Sequence, residues 1–500
     1  MIYLDHAATT PVDARVAAAM QAVLEDPLAF ANPSSTHAAG RAAAARIETA
    51  REQVAALIGA PPEDLIFTSG ATESDNLAIL GLARGRADFG RHVVTARTEH
   101  KAVLDACKRL VKEGFVVTFL EPETDGRIDP KKLQAALRPD TQLVSIMHAN
   151  NETGVVQDVG ALAAVCRDQN GRAKNVFFHV DAAQSAGKIP LDVQAAGLDL
   201  VSLSAHKMYG PKGIGALYVA PRARPWLVPL AFGGGQERGL RPGTLATHQI
   251  VGFGAAAALA AGELERDALH TGALVQRFHA ALGPLADLRW NDHPSARLPG
   301  LVSLSIADVE GESLLAALPE LAVSSGAACD ASRGEPSYVL RAAGVPAELA
   351  QSTLRIAFGR GNTPSEAERA AELIIAAVTT LRARYAKRMT SPDWHTGSAG
   401  SQRSGTHVIC QLQADRAGIV TQARFAAYAC PAVMAALDTL ERRWPGLPLG
   451  REGALPAALG TPVEWAQAVA APIEKLGRFL MVEDAMRLAT LSAVDSARGT

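Results

Sequence analysis

Leu200-Val-Ser-Leu-Ser-Ala-His-Lys-Met-Tyr-Gly-Pro-Lys-Gly213 is the stretch on which the fold turns. Its first four residues, Leu200–Leu203, read as a strand. Lys207 follows, and a Gly/Pro-rich turn leads directly into a second strand candidate, Ile214–Val219. Upstream the same pattern repeats from Glu63 to Ala220. Short β-branched or aromatic runs occur at Leu65–Thr68, His92–Thr95, Phe115–Leu120, Leu143–Met147 and Val176–Val180. Segments with helical spacing, such as Lys101–Lys112 and Asp129–Leu137, lie between most of them. Several of the runs are apolar throughout, as strands covered on both faces should be. The alternation predicts an α/β fold, a mainly parallel sheet with helices on both faces.

Beyond Gln249 the character changes to Ala-rich helical stretches with few strand candidates, Val302–Ile306 among them. This predicts a smaller α+β domain ending near Tyr385. The expected division is a large domain over about 15–255 and a small one from 1–14 plus 256–390. The next run, Ser391-Pro-Asp-Trp-His-Thr-Gly-Ser-Ala-Gly-Ser-Gln-Arg-Ser-Gly405, is Gly/Ser-rich and reads as a flexible linker over 391–404. Residues 405–500 carry their own strand candidates, Val408–Leu412 and Ile419–Phe425, and read as an appended domain.

With 500 residues, the chain is long enough for about three or four domains. Lys+Arg is 49 and Asp+Glu is 51, a net charge of −2. That balance argues against a nucleic-acid binder, which would carry a basic excess. Five cysteines (Cys107, Cys166, Cys329, Cys410, Cys430) without a CxxC pair do not suggest a disulfide framework or a zinc knuckle. The opening residues lack an apolar signal-peptide core, and the longest uncharged apolar stretch, 251–262, is too short to span a bilayer. A cytoplasmic protein with no membrane partner is expected.

A lysine at a strand end beside a tight turn, as Lys207 is, can be desolvated and form a Schiff base. An isolated loop lysine is ordinarily just solvated, so its neighbours decide. Asp181 ends Phe178-His-Val-Asp181, where a carboxylate can keep a pyridine ring nitrogen protonated or merely cap a helix. Thr68-Ser-Gly-Ala-Thr-Glu-Ser-Asp-Asn76 joins a strand to a helix through small residues, and its free N–H groups with Thr72 suit a phosphate. His100 and Asn150-Asn-Glu-Thr-Gly154 also follow strands, where parallel sheets place their sites. Cys329 lies in Ser324-Ser-Gly-Ala-Ala-Cys329, a loop-like setting that makes it a candidate nucleophile. Cys107 and Cys166 fall in helical patterns and read as core.

Together these segments resemble the NifS/IscS-type cysteine desulfurases, class V, fold-type I pyridoxal-phosphate enzymes. The similarity covers about residues 1–385. It includes Tyr3-Leu-Asp-His-Ala-Ala-Thr-Thr-Pro11, Thr98-Glu-His-Lys101, His179-Val-Asp-Ala-Ala-Gln-Ser185, Ser204-Ala-His-Lys207, Arg238-Gly-Leu-Arg-Pro-Gly-Thr244 and Leu354-Arg-Ile-Ala-Phe-Gly-Arg360. The resemblance implies a seven-stranded sheet and pyridoxal 5'-phosphate on Lys207. Asp181 would pair with the ring nitrogen, Gln184 with the ring hydroxyl, and His100 would stack on the ring and assist proton transfer. Ala71, Thr72, Ser204 and His206 would hold the phosphate, with Thr244 reaching across from a second subunit of a homodimer. Asn151 and Arg355 would bind the carboxylate of L-cysteine. Cys329 would take the sulfur as a persulfide, leaving alanine, and pass it to acceptor or scaffold proteins of iron–sulfur cluster assembly. No resident metal is implied; Cys329 would be at most a transient cluster contact.

The appended domain resembles the IscU/NifU-N-type scaffold through Gly418-Ile-Val-Thr-Gln-Ala-Arg-Phe-Ala-Ala-Tyr-Ala-Cys430 and Glu474-Lys-Leu-Gly-Arg-Phe-Leu-Met-Val-Glu-Asp-Ala485. Such scaffolds hold their cluster with three cysteines and an aspartate. Here Cys430 alone matches, with Ser404, Thr406 and Arg478 at the other places and Cys410 out of register. A degenerate scaffold kept for docking or sulfur acceptance is expected. Another class V pyridoxal enzyme (a selenocysteine lyase or an aminotransferase) and a non-catalytic assembly partner are the competing readings.

Overall fold

The computed structural model describes residues 1–168, 175–325, 336–386 and 394–498. The large sheet has seven strands: β1 (Leu65–Thr68), β2 (His92–Ala96), β3 (Val116–Leu120), β4 (Thr141–Ser145), β5 (Phe177–Asp181), β6 (Leu200–Ser204) and β7 (Gly215–Val219). Their spatial order is β1-β7-β6-β5-β4-β2-β3. Only β7 runs antiparallel to its neighbours. The other six share one direction, so Thr68, Ala96, Ser145, Asp181 and Ser204 finish at the same edge. Every residue of β1, β2, β4, β5, β6 and β7 is buried, which explains their largely apolar character. The edge strand β3 is the exception and is partly exposed.

The seven expected strands are all present, with boundaries moved by at most two residues and Leu65–Thr68 unmoved. The largest move is Leu143–Met147, which becomes Thr141–Ser145. Ile146 and His148 still donate to the carbonyls of His179 and Asp181, and Met147 between them lines the cavity at the strand ends. Helices α1 (Ala14–Glu25), α2 (Ala38–Leu57), α3 (Ala71–Asn76) and α4 (Lys101–Lys112) precede or cover this sheet.

The expected division at residue 255 falls inside a continuous 36-residue helix, α5 (Thr247–Leu282). Its first half places Ile250, Phe253, Ala256 and Ala257 in the core under the large sheet. Its second half places Leu274, Val275, Phe278 and Leu282 in the small-domain core. That core lies against the antiparallel sheet of β8 (Leu288–Trp290), β9 (Leu301–Ile306) and β10 (Thr353–Ala357), ordered β10-β9-β8. The N-terminus joins this half, because Ile2–Tyr3 pairs in parallel with Leu321–Ala322. Helices α6 (Gly311–Ala316), α7 (Ala347–Gln351) and α8 (Pro364–Ala386) complete it.

The stretch expected to be a linker is largely structured. Residues 391–393 lie outside the description, but His395–Ser401 is a seven-residue strand, β11. It pairs with β12 (Thr406–Ala414), which pairs with β13 (Val420–Tyr428). Its glycines permit close packing rather than mobility. A Cβ on Gly397 would stand 2.2 Å from the carbonyl oxygen of Ala485 in the long terminal helix α10 (Leu476–Arg498). Helix α9 (Pro431–Arg443) and Pro462–Ala468 close a separate core around Trp444, Phe425 and Phe479.

This last unit is docked on the small domain. Ser313 in α6 donates to the carbonyl of Ala429 at 2.7 Å, Gln402 donates to Asp308 at 3.0 Å, and Tyr385 and His407 share a 2.7 Å hydrogen bond. Lys475 pairs with Glu312, and Arg478 stands 3.7 Å from Glu310 and 3.6 Å from Glu312.

Candidate active site

The shared edge of the parallel strands opens into a cavity of about 560 Å³. Asp181 is the last residue of β5 and is buried, with Oδ1 accepting from the Ala183 amide at 2.9 Å. Strand alternation puts His179 on the same face, where Ser145 (2.8 Å) and Ser202 (2.9 Å) take its two ring nitrogens. Burial lowers the His179 imidazole to about 3, so it stays neutral behind Asp181. Asp75 stands 3.6 Å from His179, and burial and then the charge of Asp181 push its carboxyl well above the usual carboxylate range.

Lys207 closes the single turn Ala205–Lys207 that follows β6. Because β6 and β7 are antiparallel neighbours, with Ser204 opposite Gly215, this turn is pinned over the sheet. Gly215 is required there, since a Cβ would fall 2.6 Å from the Cα of Gly70. Gly70, at φ 155°, in turn starts α3, and Ala71 and Thr72 bring the first free N–H groups of that helix to the cavity. The helix runs on through the π turn Leu77–Gly81 to Gly85, so its dipole also favours an anion. His206 shares a 3.1 Å hydrogen bond with Thr9, and burial, then Lys207, lowers it to about 4.

On the opposite wall, Arg355 in β10 donates to the Asn151 carbonyl at 2.9 Å and to Asp5 at 2.8 Å. Its Nε and the Asn151 Oδ1 are buried without a hydrogen-bond partner. Unsatisfied buried polar atoms in a cavity wall are what a polar ligand would complete. His100 caps α4, its Nδ1 accepting from Ala102 at 3.2 Å. Burial depresses its imidazole, opposed by Asp181 and reinforced by Lys207.

Ten sequence-expected residues therefore line one cavity: Ala71, Thr72, His100, Asn151, Asp181, Gln184, Ser204, His206, Lys207 and Arg355. Thr244 does not; it is exposed elsewhere on its chain. Cys329 lies outside the described residues. Cys430 is remote from the cavity, buried in the terminal core at the start of α9. Sequence reasoning missed Tyr338, whose hydroxyl donates to the Glu99 carbonyl at 2.7 Å, and Asp5, which orients Arg355. It also missed Lys188, whose only signal was its place four residues after Gln184.

Residues 2–370 match the family described as aminotransferase class-V. Over 382 residues the chain is 53% identical to the cysteine desulfurase IscS of Vibrio campbellii, covering 76% of this chain and 93% of that protein. The chain is a cysteine desulfurase of the class V family. The desulfurase is also 53% identical over 383 residues to IscS of Vibrio cholerae. Among solved structures it resembles a NifS-like protein with a TM-score of 0.70 and 35% identity, over 76% of this chain and 99% of that one. It also resembles SspA in complex with cysteine, with a TM-score of 0.64 and 37% identity over 73% and 100% of the two chains. The competing reading of a non-catalytic partner is set aside by these relatives, as are a lyase for selenocysteine and an aminotransferase.

Proposed function

We propose that the desulfurase uses pyridoxal 5'-phosphate on Lys207 to convert L-cysteine to L-alanine, with Cys329 as the first sulfur acceptor. The observation that carries this reading is one cavity holding a lysine, a buried carboxylate, a neutral histidine, a helix start and a guanidinium. The donor set fits the cofactor. The N–H groups of Ala71 and Thr72, with Ser204 and His206, suit its phosphate, Asp181 its ring nitrogen, and Gln184 its ring hydroxyl. When bound, the group supplies an electron sink that makes the substrate Cα proton labile. Arg355 and Asn151 then hold the substrate carboxylate. Lys207 and His100 take and return protons at Cα and Cβ. The Cys329 thiolate attacks the substrate sulfur as the C–S bond breaks, so cysteine plus a thiol gives alanine plus a persulfide.

The experiment dialyses the full chain, adds pyridoxal phosphate, reduces with borohydride and maps the label by mass spectrometry. A visible absorbance band and a label on Lys207 are expected in the wild type, with both absent in Lys207→Ala. A band and label retained in Lys207→Ala would overturn the assignment.

Three finer features belong to this reading. Exposed Thr244 and the neighbouring exposed Phe232 suit a homodimer in which Thr244 completes the partner's phosphate site. Sedimentation of Phe232→Asp as a monomer would support it. The four described cysteines form no disulfide, which suits a cytoplasmic setting; in addition, no helix among the described residues is long and apolar enough to cross a membrane. The terminal unit acts as a docking or sulfur-accepting module that keeps no cluster, because the positive charge of Arg478 lies beside Cys430 where a further thiolate would be needed.

A further inference from the structure

Gln184 follows β5 in the turn Ala182–Lys188 and is buried. That turn is seated on α5, for a Cβ on Gly187, at φ 73°, would fall 2.9 Å from the Cβ of Ala260. The Gln184 amide makes two contacts. Its Nε2 donates to the Ala7 carbonyl at 2.7 Å, and its Oε1 accepts from Lys188 Nζ at 3.2 Å. A glutamine amide has two donors on nitrogen and an acceptor oxygen, and can be turned either way round. An ammonium has donors only, so it accepts one orientation of that amide and rejects the other. With Oε1 taken by Lys188 and one N–H by Ala7, one N–H of Gln184 is left for the cavity it lines.

We propose that Lys188 is a positioning residue for the desulfurase reaction, fixing the Gln184 amide so that it donates a hydrogen bond to the ring hydroxyl oxygen of the cofactor. The inference rests on the reading that this cavity holds pyridoxal phosphate. Lys188 does not line that cavity; it faces a second, smaller one beside His6 and Tyr209. The titratable groups around it are Lys207 and His206 after β6, Arg355 in β10, His6 of the N-terminal segment, and Tyr209 and Asp267 across the second cavity. Burial, then Lys207 and Arg355, lower its amine to about 7. A bound phosphate and carboxylate would offset those two positive charges and keep the ammonium protonated.

The consequence can be read from the ligand's colour. A donor on the ring oxygen competes with the proton that this oxygen shares with the neighbouring imine nitrogen. Losing the donor tightens that proton, so the absorbance change with pH moves to higher pH. The test titrates the visible band of the loaded full chain. Lys188→Met should raise the midpoint by about one pH unit, the size of one hydrogen bond to a charged group. Lys188→Arg, still a donor-only cation, should keep the wild-type midpoint. Gln184→Ala should raise the midpoint, and Lys188→Met added to it should raise it no further. If Lys188→Met does not fold, Lys188→Gln, which can accept as well as donate, carries the same expectation. A wild-type midpoint in Lys188→Met or Lys188→Gln, or additive shifts in the double variant, would overturn the proposal. A wild type that shows no band and no label on Lys207 would overturn the cofactor reading, and this inference with it.

Discussion

Cys329 is where the transfer of sulfur separates from the chemistry that frees it. Cys329→Ser keeps Lys207, Asp181 and Arg355 intact, so it should bind pyridoxal phosphate and change colour with cysteine. A hydroxyl is a poor acceptor for sulfur, so alanine formation should fall by about a hundredfold or more. Quantifying alanine by chromatography checks this, and near-normal alanine would show that another group is the nucleophile. Glu99 tests the buried acids behind the site. Its Oε1 accepts from the Met147 amide at 2.9 Å, its Oε2 has no hydrogen-bond partner, and burial pushes its carboxyl well up. A folded pKa above the unfolded one gives stability that is fully present below the unfolded value and lost as pH rises. Glu99→Gln removes that titration. Its stability relative to wild type should therefore improve with pH from about 4.5 upward, by about 1.4 kcal/mol per unit at most, until the folded carboxyl ionises. Denaturant melts at several pH values measure it; a difference that is flat with pH would mean Glu99 is ionised in the fold.

At the scale of elements, the phosphate end of the cavity depends on β7 lying close under the start of α3. Gly215→Ala would press its Cβ on the Gly70 Cα and the Leu203 carbonyl, contacts of 2.6 and 2.5 Å. Both are backbone and cannot rotate aside. The turn that presents Ala71 and Thr72 must move, so affinity for pyridoxal phosphate should fall by about tenfold or more, in line with overpacking costs of 1–3 kcal/mol. Fluorescence titration of the ligand reads this directly. An unchanged dissociation constant would show that the turn tolerates displacement. The glycines of β11 illustrate the same physics misread from composition. Gly397-Ser-Ala-Gly-Ser401 looks flexible because glycine lowers local order. At Gly397 the absent side chain instead lets α10 rest on the strand.

For the whole molecule, the docking of the terminal unit joins sites that sequence reading kept apart. Glu310 and Glu312 of the desulfurase domain face Lys475 and Arg478. Glu310 is largely buried, so reversing its charge leaves the Arg478 cation against a like charge in a poorly solvated seam. Glu310→Lys with Glu312→Lys should raise amide hydrogen exchange of residues 311–316 and 476–480 by about tenfold or more. The visible band of the cofactor site, set by other elements, should stay as in wild type. Unchanged exchange would mean the contact is held by Ser313, Tyr385 and their apolar surroundings alone.

Much of this protein was legible without coordinates, because its signals are local. A run such as Val93-Val94-Thr95 or Leu200–Leu203 is mostly apolar for one reason, burial on both faces, and every strand of the large sheet except the edge strand β3 is buried in that way. The candidate site was legible for a related reason. In a parallel sheet the residues that follow the strands gather at one edge, so Thr72, His100, Asn151, Asp181 and Lys207 could be assigned to one cavity from their positions after strands. What stayed hidden is what depends on contacts distant in sequence. The continuity of α5 through two cores, the strand made from a Gly/Ser run and the partner that orients Arg355 all arise from chain brought together only on folding. Asp5 lies 350 residues from Arg355, and Ser313 lies 116 from Ala429. No periodicity carries such distances, because hydrophobic pattern records only whether a side chain is buried and not which neighbour buries it.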